Sequence, residues 1–434
     1  MPATHRWTAL IAVAEGPAPA PSRSLGAILR IWGVNIFAAA AGVVILVMTA
    51  RSLGPTGRGM YAAATGWVLL FSTLGSLSLG QVALHHATEK QSDEWVNETV
   101  GTLLGLTAIV TIAAWILCAA LFVATGGDVF HNLPALPLTV AFLALPFVLW
   151  FDTGRYVLYS LGKVSAFNRS QVIGYSAGIA FLVPVVIFPK LGLTGALVAW
   201  LVLYVTMAGW GYVSLRAAAR EPRFSRGLAR QFLGGSVKLH LTTVGTYIHL
   251  QSSVLILNYY RSPAETGYYQ LATQVLTLGT LAPMAVSTYT YALVSRAGPD
   301  SAWGEQRRLL ALAFAFSALA VLVGYFLVPY GITLLAGSDF APSIPLVRLL
   351  LLSLFGMTVS IVMASQWIGR GFFVQTTVLS VIAGVASLAL DFRLIPRYGM
   401  YGALVSTLVV YAIALVANGS LAVWIERRWR EVMR

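Results

Sequence analysis

"PKLGLTGALVAWLVLY", Pro189 to Tyr204, is written a second time in the chain as "PRYGMYGALVSTLVVY", Pro396 to Tyr411. Pro189, Gly192, Gly195, Ala196, Leu197, Val198, Leu201, Val202 and Tyr204 each meet the same residue type at a constant spacing of 207 residues (396 minus 189), close to half of the 434. Upstream and without a gap, Gly162 and Lys163 fall on Gly369 and Arg370. The chain is an internal duplication, and each copy ends in the same Pro/Gly hairpin between two apolar runs.

Those runs are the rule along the whole chain. Apolar residues make up 58%, charged residues 10%, and the mean hydropathy is +0.79, whereas a soluble domain carries about 25% charged residues. A water-soluble fold is excluded. A hydrocarbon core needs about 20 mostly apolar residues per helical span, and twelve such stretches follow one another. In the first half they run Ile28–Ala50, Met60–Gln81, Gly101–Ala124, Leu136–Tyr159, Val172–Phe188 and Leu193–Leu215. The second half gives Leu233–Tyr259, Tyr268–Val294, Leu309–Leu335, Ile344–Trp367, Val374–Ile395 and Met400–Ile425. The expectation is an all-α polytopic membrane protein. Its six spans per half make two parallel repeats, because an even number returns the chain to the starting side.

The expected organisation is a mobile cytoplasmic N-terminal tail (1–27, including "AEGPAPAPSRS"), a first six-helix bundle (28–215), a basic linker (216–232), a second bundle (233–425) and a C-terminal tail (426–434). The linker "RAAAREPRFSRGLARQ" reads equally as an amphipathic piece on the membrane surface or as a solvated loop. The net charge is +13, but the basic residues sit in short loops rather than in a soluble domain, so the excess reads as a topology signal and not as a nucleic-acid surface. Of the 28 Lys and Arg, twenty fall on the side of the two termini and six on the other, with Lys238 and Arg348 inside spans. Both termini are therefore expected to face the cytoplasm. Cys118 is the single cysteine, which leaves no disulfide framework and no thiolate metal site.

Three segments carry a family resemblance. "ARSLGPTGRGMYAAAT", Ala50 to Thr65, has the counterpart "YRSPAETGYYQLATQV", Tyr260 to Val275, and resembles the segment after the first span of Wzx-type polysaccharide and O-antigen flippases. "LAGSDFAPSIPLVRLLLLS", Leu335 to Ser353, is similar to that family's entry to the tenth span, and "LIPRYGMYGALVST", Leu394 to Thr407, to its last hairpin. These flippases belong to the multidrug/oligosaccharidyl-lipid/polysaccharide (MOP) exporter superfamily. The resemblance implies twelve transmembrane helices in a V-shaped exporter fold around a central cavity, in the bacterial inner membrane. It further implies transport, by alternating access, of an undecaprenyl-pyrophosphate-linked glycan that glycosyltransferases supply and a polysaccharide polymerase consumes. The lipid II flippases of the superfamily carry two further spans, which argues against lipid II as the substrate.

Charge inside the spans marks the candidate site, since an Arg or Lys at mid-helix costs about 2.5–3.5 kcal/mol without relief. Arg30 and Lys238 are 208 residues apart (238 minus 30), almost the repeat spacing, on the first helix of each half. They form a candidate cationic pair for a pyrophosphate, unless they snorkel to lipid headgroups. Lys238, Thr242, Gly245, His249 and Ser252 share one helical stripe, with His249 either a proton-coupling group or a packed core histidine. Asp152 and Arg155, one turn apart, are either a gate or a simple helix pair. Arg348 belongs either to the lumen or to the outer interface. Gly54, Pro55, Gly59, Tyr61, Gly267 and Tyr269 read as turn and interface residues. No cofactor is expected beyond coupling to H+ or Na+. An ion-coupled multidrug antiporter would call for lumenal carboxylates, which are scarce here, and a membrane polymerase or other enzyme for a large external loop or an acidic cluster.

Overall fold

The computed structural model describes residues 24–87 and 92–432. Most of the predicted N-terminal tail therefore lies outside the described residues. Among those described there is no strand. The helices are α1 (Ser24–Ser76), α2 (Leu79–His86), α3 (Asp93–Ala124), α4 (Ala135–Leu143), α5 (Leu145–Ser160), α6 (Val164–Ile187), α7 (Gly192–Arg216) and α8 (Arg226–Tyr260). After them come α9 (Pro263–Leu278), α10 (Leu281–Ala297), α11 (Pro299–Leu335), α12 (Ser343–Leu350), α13 (Ser353–Gly369), α14 (Phe373–Tyr398) and α15 (Met400–Val432).

Eight helical stretches are long and apolar enough to cross a membrane, and two bent pairs, α9 with α10 and α12 with α13, bring the number to ten. One of the eight is α1 with α2, which breaks at Gly54 (φ 63°) into two spans. The 35-residue α8, diluted by polar residues, is the twelfth. All twelve predicted spans are present as helices, and the protein is a multi-pass membrane protein.

The connection between the first two spans differs from its expectation. "ARSLGPTG" was read as a loop, yet the helix is interrupted only around Gly54, whose positive φ is a conformation glycine adopts without strain. Pro55 opens the second limb, a position where its missing N–H costs nothing. The duplicated hairpins share one backbone feature: Gly192 (φ 45°) and Gly399 (φ 57°) both take a positive φ at the equivalent place in the two copies.

Contacts divide the chain between Gly267 and Tyr268. The first unit thus holds α1 to α8 and the first turn of α9, so the opening helix of the second repeat packs with the first repeat. Hydrogen bonds do much of this joining. Tyr247 on α8 donates to the Gly66 carbonyl at 2.7 Å, the Ser78 and Thr243 hydroxyls are 3.1 Å apart, and Asn258 donates to the His131 carbonyl at 2.7 Å. Apolar packing supplies the rest of the unit's cohesion. One cluster gathers Val68, Phe71, Phe142, Leu149 and Leu197, and another Val100, Leu103, Trp150, Leu158 and Phe232.

The residues between α7 and α8 do not form a surface helix. Their backbone is pinned across α3: Arg223 N–H donates to the Asn97 carbonyl (3.1 Å), Glu221 N–H to Asn97 Oδ1 (3.1 Å) and Ser225 N–H to Thr102 Oγ1 (2.9 Å). Gly101 makes the approach possible, because a Cβ there would sit 2.4 Å from the Arg223 nitrogen. The rest of the predicted linker, from Arg226, is the start of α8.

The two PxxxG segments, "PTGRG" at Pro55–Gly59 and "PAETG" at Pro263–Gly267, meet backbone to backbone. A Cβ on Gly59 would lie 1.7 Å from the Pro263 carbonyl oxygen, and one on Gly267 would lie 2.1 Å from that of Pro55. These glycines were read as turn residues. Their reason is instead the contact of two helix starts, one from each repeat, at a distance that only a missing side chain permits.

Candidate functional site

The fourth span is broken at Ala144, where Pro146 cannot supply an N–H to the Phe142 carbonyl four residues back. The Trp115 indole on α3 donates to that carbonyl at 2.9 Å. Below the break, α5 turns Phe151, Asp152, Arg155 and Tyr159 to one partly accessible face. Asp152 and Arg155 form an ion pair at 3.3 Å, with side chains 42% and 34% exposed. Arg155 also lies 4.8 Å from the centre of the Tyr156 ring and donates to its hydroxyl at 3.2 Å. The same hydroxyl accepts from Gln81 on α2 at 3.1 Å. Tyr204 on α7 lies within electrostatic range of Tyr61, Asp152, Arg155 and Tyr175, so the second limb of α1 and helices α5, α6 and α7 converge on one polar patch. A half-buried ion pair on an aromatic bed, inside an apolar bundle, is chemistry suited to an anion, because its guanidinium is already oriented.

The cationic pair expected at Arg30 and Lys238 belongs to α1 and α8, but both side chains lie outside the described residues. Thr242 and His249 are half-buried on α8. Their neighbours Thr243 and Tyr247 turn toward α1 and α2. Successive residues point about 100° apart on a helix, so the stripe through Thr242 and His249 occupies a different face from that contact.

Arg348 is engaged within its own helix pair. On α12, its Nε donates to the Tyr325 carbonyl on α11 at 2.9 Å and its guanidinium lies 4.5 Å from the Tyr325 ring centre. Tyr325 is four residues before Pro329, which again has no N–H to give back. The arrangement repeats that of Trp115 and Phe142 in the corresponding pair of spans, with donor and acceptor helices exchanged. Arg348→Ala is expected to cost about 1–3 kcal/mol by leaving this carbonyl unsatisfied, and Pro329→Ala in the same chain to recover most of it by restoring an N–H. Thermal unfolding of the two variants in detergent checks this, and failure of the double variant to recover would reject the role.

Two charged residues escaped the sequence reading. Arg58, which lies between the predicted spans Ile28–Ala50 and Met60–Gln81, is 1% exposed on the second limb of α1, with its guanidinium 5.0 Å from the centre of the Tyr61 ring. The Gly54-Pro55 step, a helix stop followed by a helix start, was the signal that placed it inside a span. Asp391, close to the end of the predicted span Val374–Ile395, is 0% exposed on α14. One turn before it, the Ser387 carbonyl accepts from Ser406 at 3.4 Å. Gln366 on α13 donates to Gln306 Oε1 on α11 at 2.7 Å and accepts from Arg370 at 3.1 Å, an interhelical role.

Comparison with known proteins agrees with this architecture. The model of the family described as "Polysaccharide biosynthesis protein" matches residues 27–294. The fold is similar to lipid II flippase MurJ in an inward closed conformation (TM-score 0.73, 15% identity, 89% of this chain and 85% of that one). It is also similar to an inward-facing multidrug resistance MATE family transporter of the MOP superfamily (TM-score 0.60, 14% identity, 90% and 96%). A third likeness is to a MOP superfamily transporter from Pyrococcus furiosus (TM-score 0.53, 15% identity, 98% and 97%). No curated protein matches in sequence. A fold shared with MOP exporters, together with a family match over more than half of its length, means that the chain belongs to the polysaccharide biosynthesis protein family.

Proposed function

We propose that the protein is a flippase that moves an undecaprenyl-pyrophosphate-linked oligosaccharide across the bacterial inner membrane by alternating access, for surface or exopolysaccharide assembly. The observation that carries this reading is the Arg155 cluster: a guanidinium between Asp152 and Tyr156 on the accessible face of a membrane-embedded helix. The pyrophosphate exchanges with Asp152 for Arg155, and Arg30 and Lys238 contribute further positive charge along its path. Tyr159, Thr242 and His249 offer hydroxyl and imidazole contacts to the sugars. With both termini in the cytoplasm, glycosyltransferases supply the substrate from inside and a polymerase consumes it outside.

Transport against a gradient requires coupling, and H+ or Na+ is the coupling ion in this reading. A multidrug antiporter is the second reading, favoured by the likeness to the MATE fold. Against it stands the scarcity of carboxylates within the spans, where a cationic cargo would need them.

Deleting the protein is expected to leave the lipid-linked oligosaccharide in the inner leaflet, where added glycosidase acting from the periplasmic side cannot reach it. Complementation restores access. Unchanged access in the deletion strain, with drug sensitivity raised instead, would favour the antiporter.

A further inference from the structure

A cavity of about 380 Å3 opens on the flank of the first unit between α3 and α4. Trp115, Cys118, Phe122, Leu138, Thr139 and Phe142 line it. Its volume lies within the range of pockets that hold small molecules, about 300–1,000 Å3. The strong polar groups in this part of the wall are already engaged. The Trp115 indole N–H serves the Phe142 carbonyl, and the Thr139 hydroxyl serves the Ala135 carbonyl at 2.9 Å. What is left is a surface of rings and methylenes, with nothing to recognise a polar ligand.

Of the lining residues, Trp115, Val123 and Leu143 are exposed apolar groups on spanning helices, so the cavity is reached from hydrocarbon rather than from water. An unbranched acyl chain lies well on an ordinary helix flank, but in a cavity of this volume it leaves wall atoms without contacts, which forfeits dispersion energy. A methyl-branched chain fills the space better. The cavity wall and the polar patch also share one span. Phe142 and Arg155 are thirteen residues apart (155 minus 142), about 20 Å at 1.5 Å per residue, so a headgroup at Arg155 leaves the cavity within reach of its own lipid tail.

We infer that this cavity holds part of the polyprenyl tail of the carried lipid. The inference rests on the flippase reading for the identity of that lipid, but its test reads occupancy directly. The full-length protein in phospholipid nanodiscs is photolabelled with polyprenyl phosphate bearing a diazirine on its tail and, in a parallel arm, with phosphatidylglycerol bearing one on an acyl chain. The polyprenyl probe is expected to label residues 115–143, and excess unlabelled polyprenyl phosphate to reduce that label about tenfold, equivalent to about 1.4 kcal/mol. Ala119→Trp, which fills the cavity from its exposed rim, should reduce it similarly.

The inference is overturned if the polyprenyl label falls elsewhere or resists competition. It is also overturned if the phospholipid probe labels the cavity equally and is displaced equally, which would make this a bilayer-lipid site. Translocation of lipid-linked oligosaccharide by the same preparation is a separate readout. Translocation without cavity labelling defeats this inference alone, and cavity labelling without translocation defeats the flippase reading alone.

Discussion

Alanine at Gly59 or at Gly267 is expected to prevent accumulation of folded protein, even though the added group is one methyl. The obstruction at each position is the carbonyl oxygen of the facing proline, at 1.7 Å and 2.1 Å from the new Cβ. Backbone cannot rotate away as a side chain does, so two helix starts must separate. Overpacking ordinarily costs about 1–3 kcal/mol, and a clash with fixed backbone belongs at or above the upper end. Gly42→Ala, on the first limb of α1, meets nothing within 4 Å. It should be neutral or stabilising by up to about 1 kcal/mol, the helix preference of alanine over glycine. Size-exclusion profiles of the three variants in detergent check the contrast. Equal, monodisperse profiles would mean that the two helix starts do not depend on this backbone contact.

The second large effect falls on Arg155. Replacing it with Ala removes the cation that the anionic headgroup is proposed to meet. A hydrogen bond to a charged group is worth about 1.5–3 kcal/mol, hence roughly a 10- to 150-fold fall in transport. Lysine keeps the charge but loses the planar fork and the contact with the Tyr156 ring, so Arg155→Lys should retain an intermediate rate. Asp152→Asn separates binding from folding. It frees Arg155 from its internal competitor, so substrate affinity should rise while release slows. A transport assay over a range of substrate concentrations resolves the three. A fall in Arg155→Ala that tracks protein level alone would assign the pair to folding.

The duplication, the twelve spans and the hairpins were legible because each is a pattern of residue type at fixed spacing. Gly192 and Gly399 both take a positive φ at the equivalent place, as the repeat implied. The glycine-rich segment after the first span was misjudged in kind. A helix interrupted at one residue looks in sequence like a short loop, and the partner that Gly59 needs is Pro263, two hundred residues away. Arg58 went astray with it. Arg348 illustrates a different limit: its engagement follows from Pro329 lacking an N–H, but which donor answers the Tyr325 carbonyl depends on how α11 and α12 pack. The polar patch was half visible. The i,i+3 spacing gave Asp152 with Arg155, whereas Gln81, Tyr175 and Tyr204 reach it only through tertiary packing. That α8 joins the first unit was not visible at all, since the repeat boundary and the contact boundary fall in different places.

The most direct measurement is transbilayer movement in proteoliposomes of purified protein, using a fluorescent undecaprenyl-pyrophosphate oligosaccharide and a membrane-impermeant quencher. If Arg155 serves an anionic lipid headgroup, the wild type should carry the inner-leaflet fraction to the quencher, and Arg155→Ala, reconstituted at equal density, should leave it protected. Protection in both, or equal movement in both, would contradict the account.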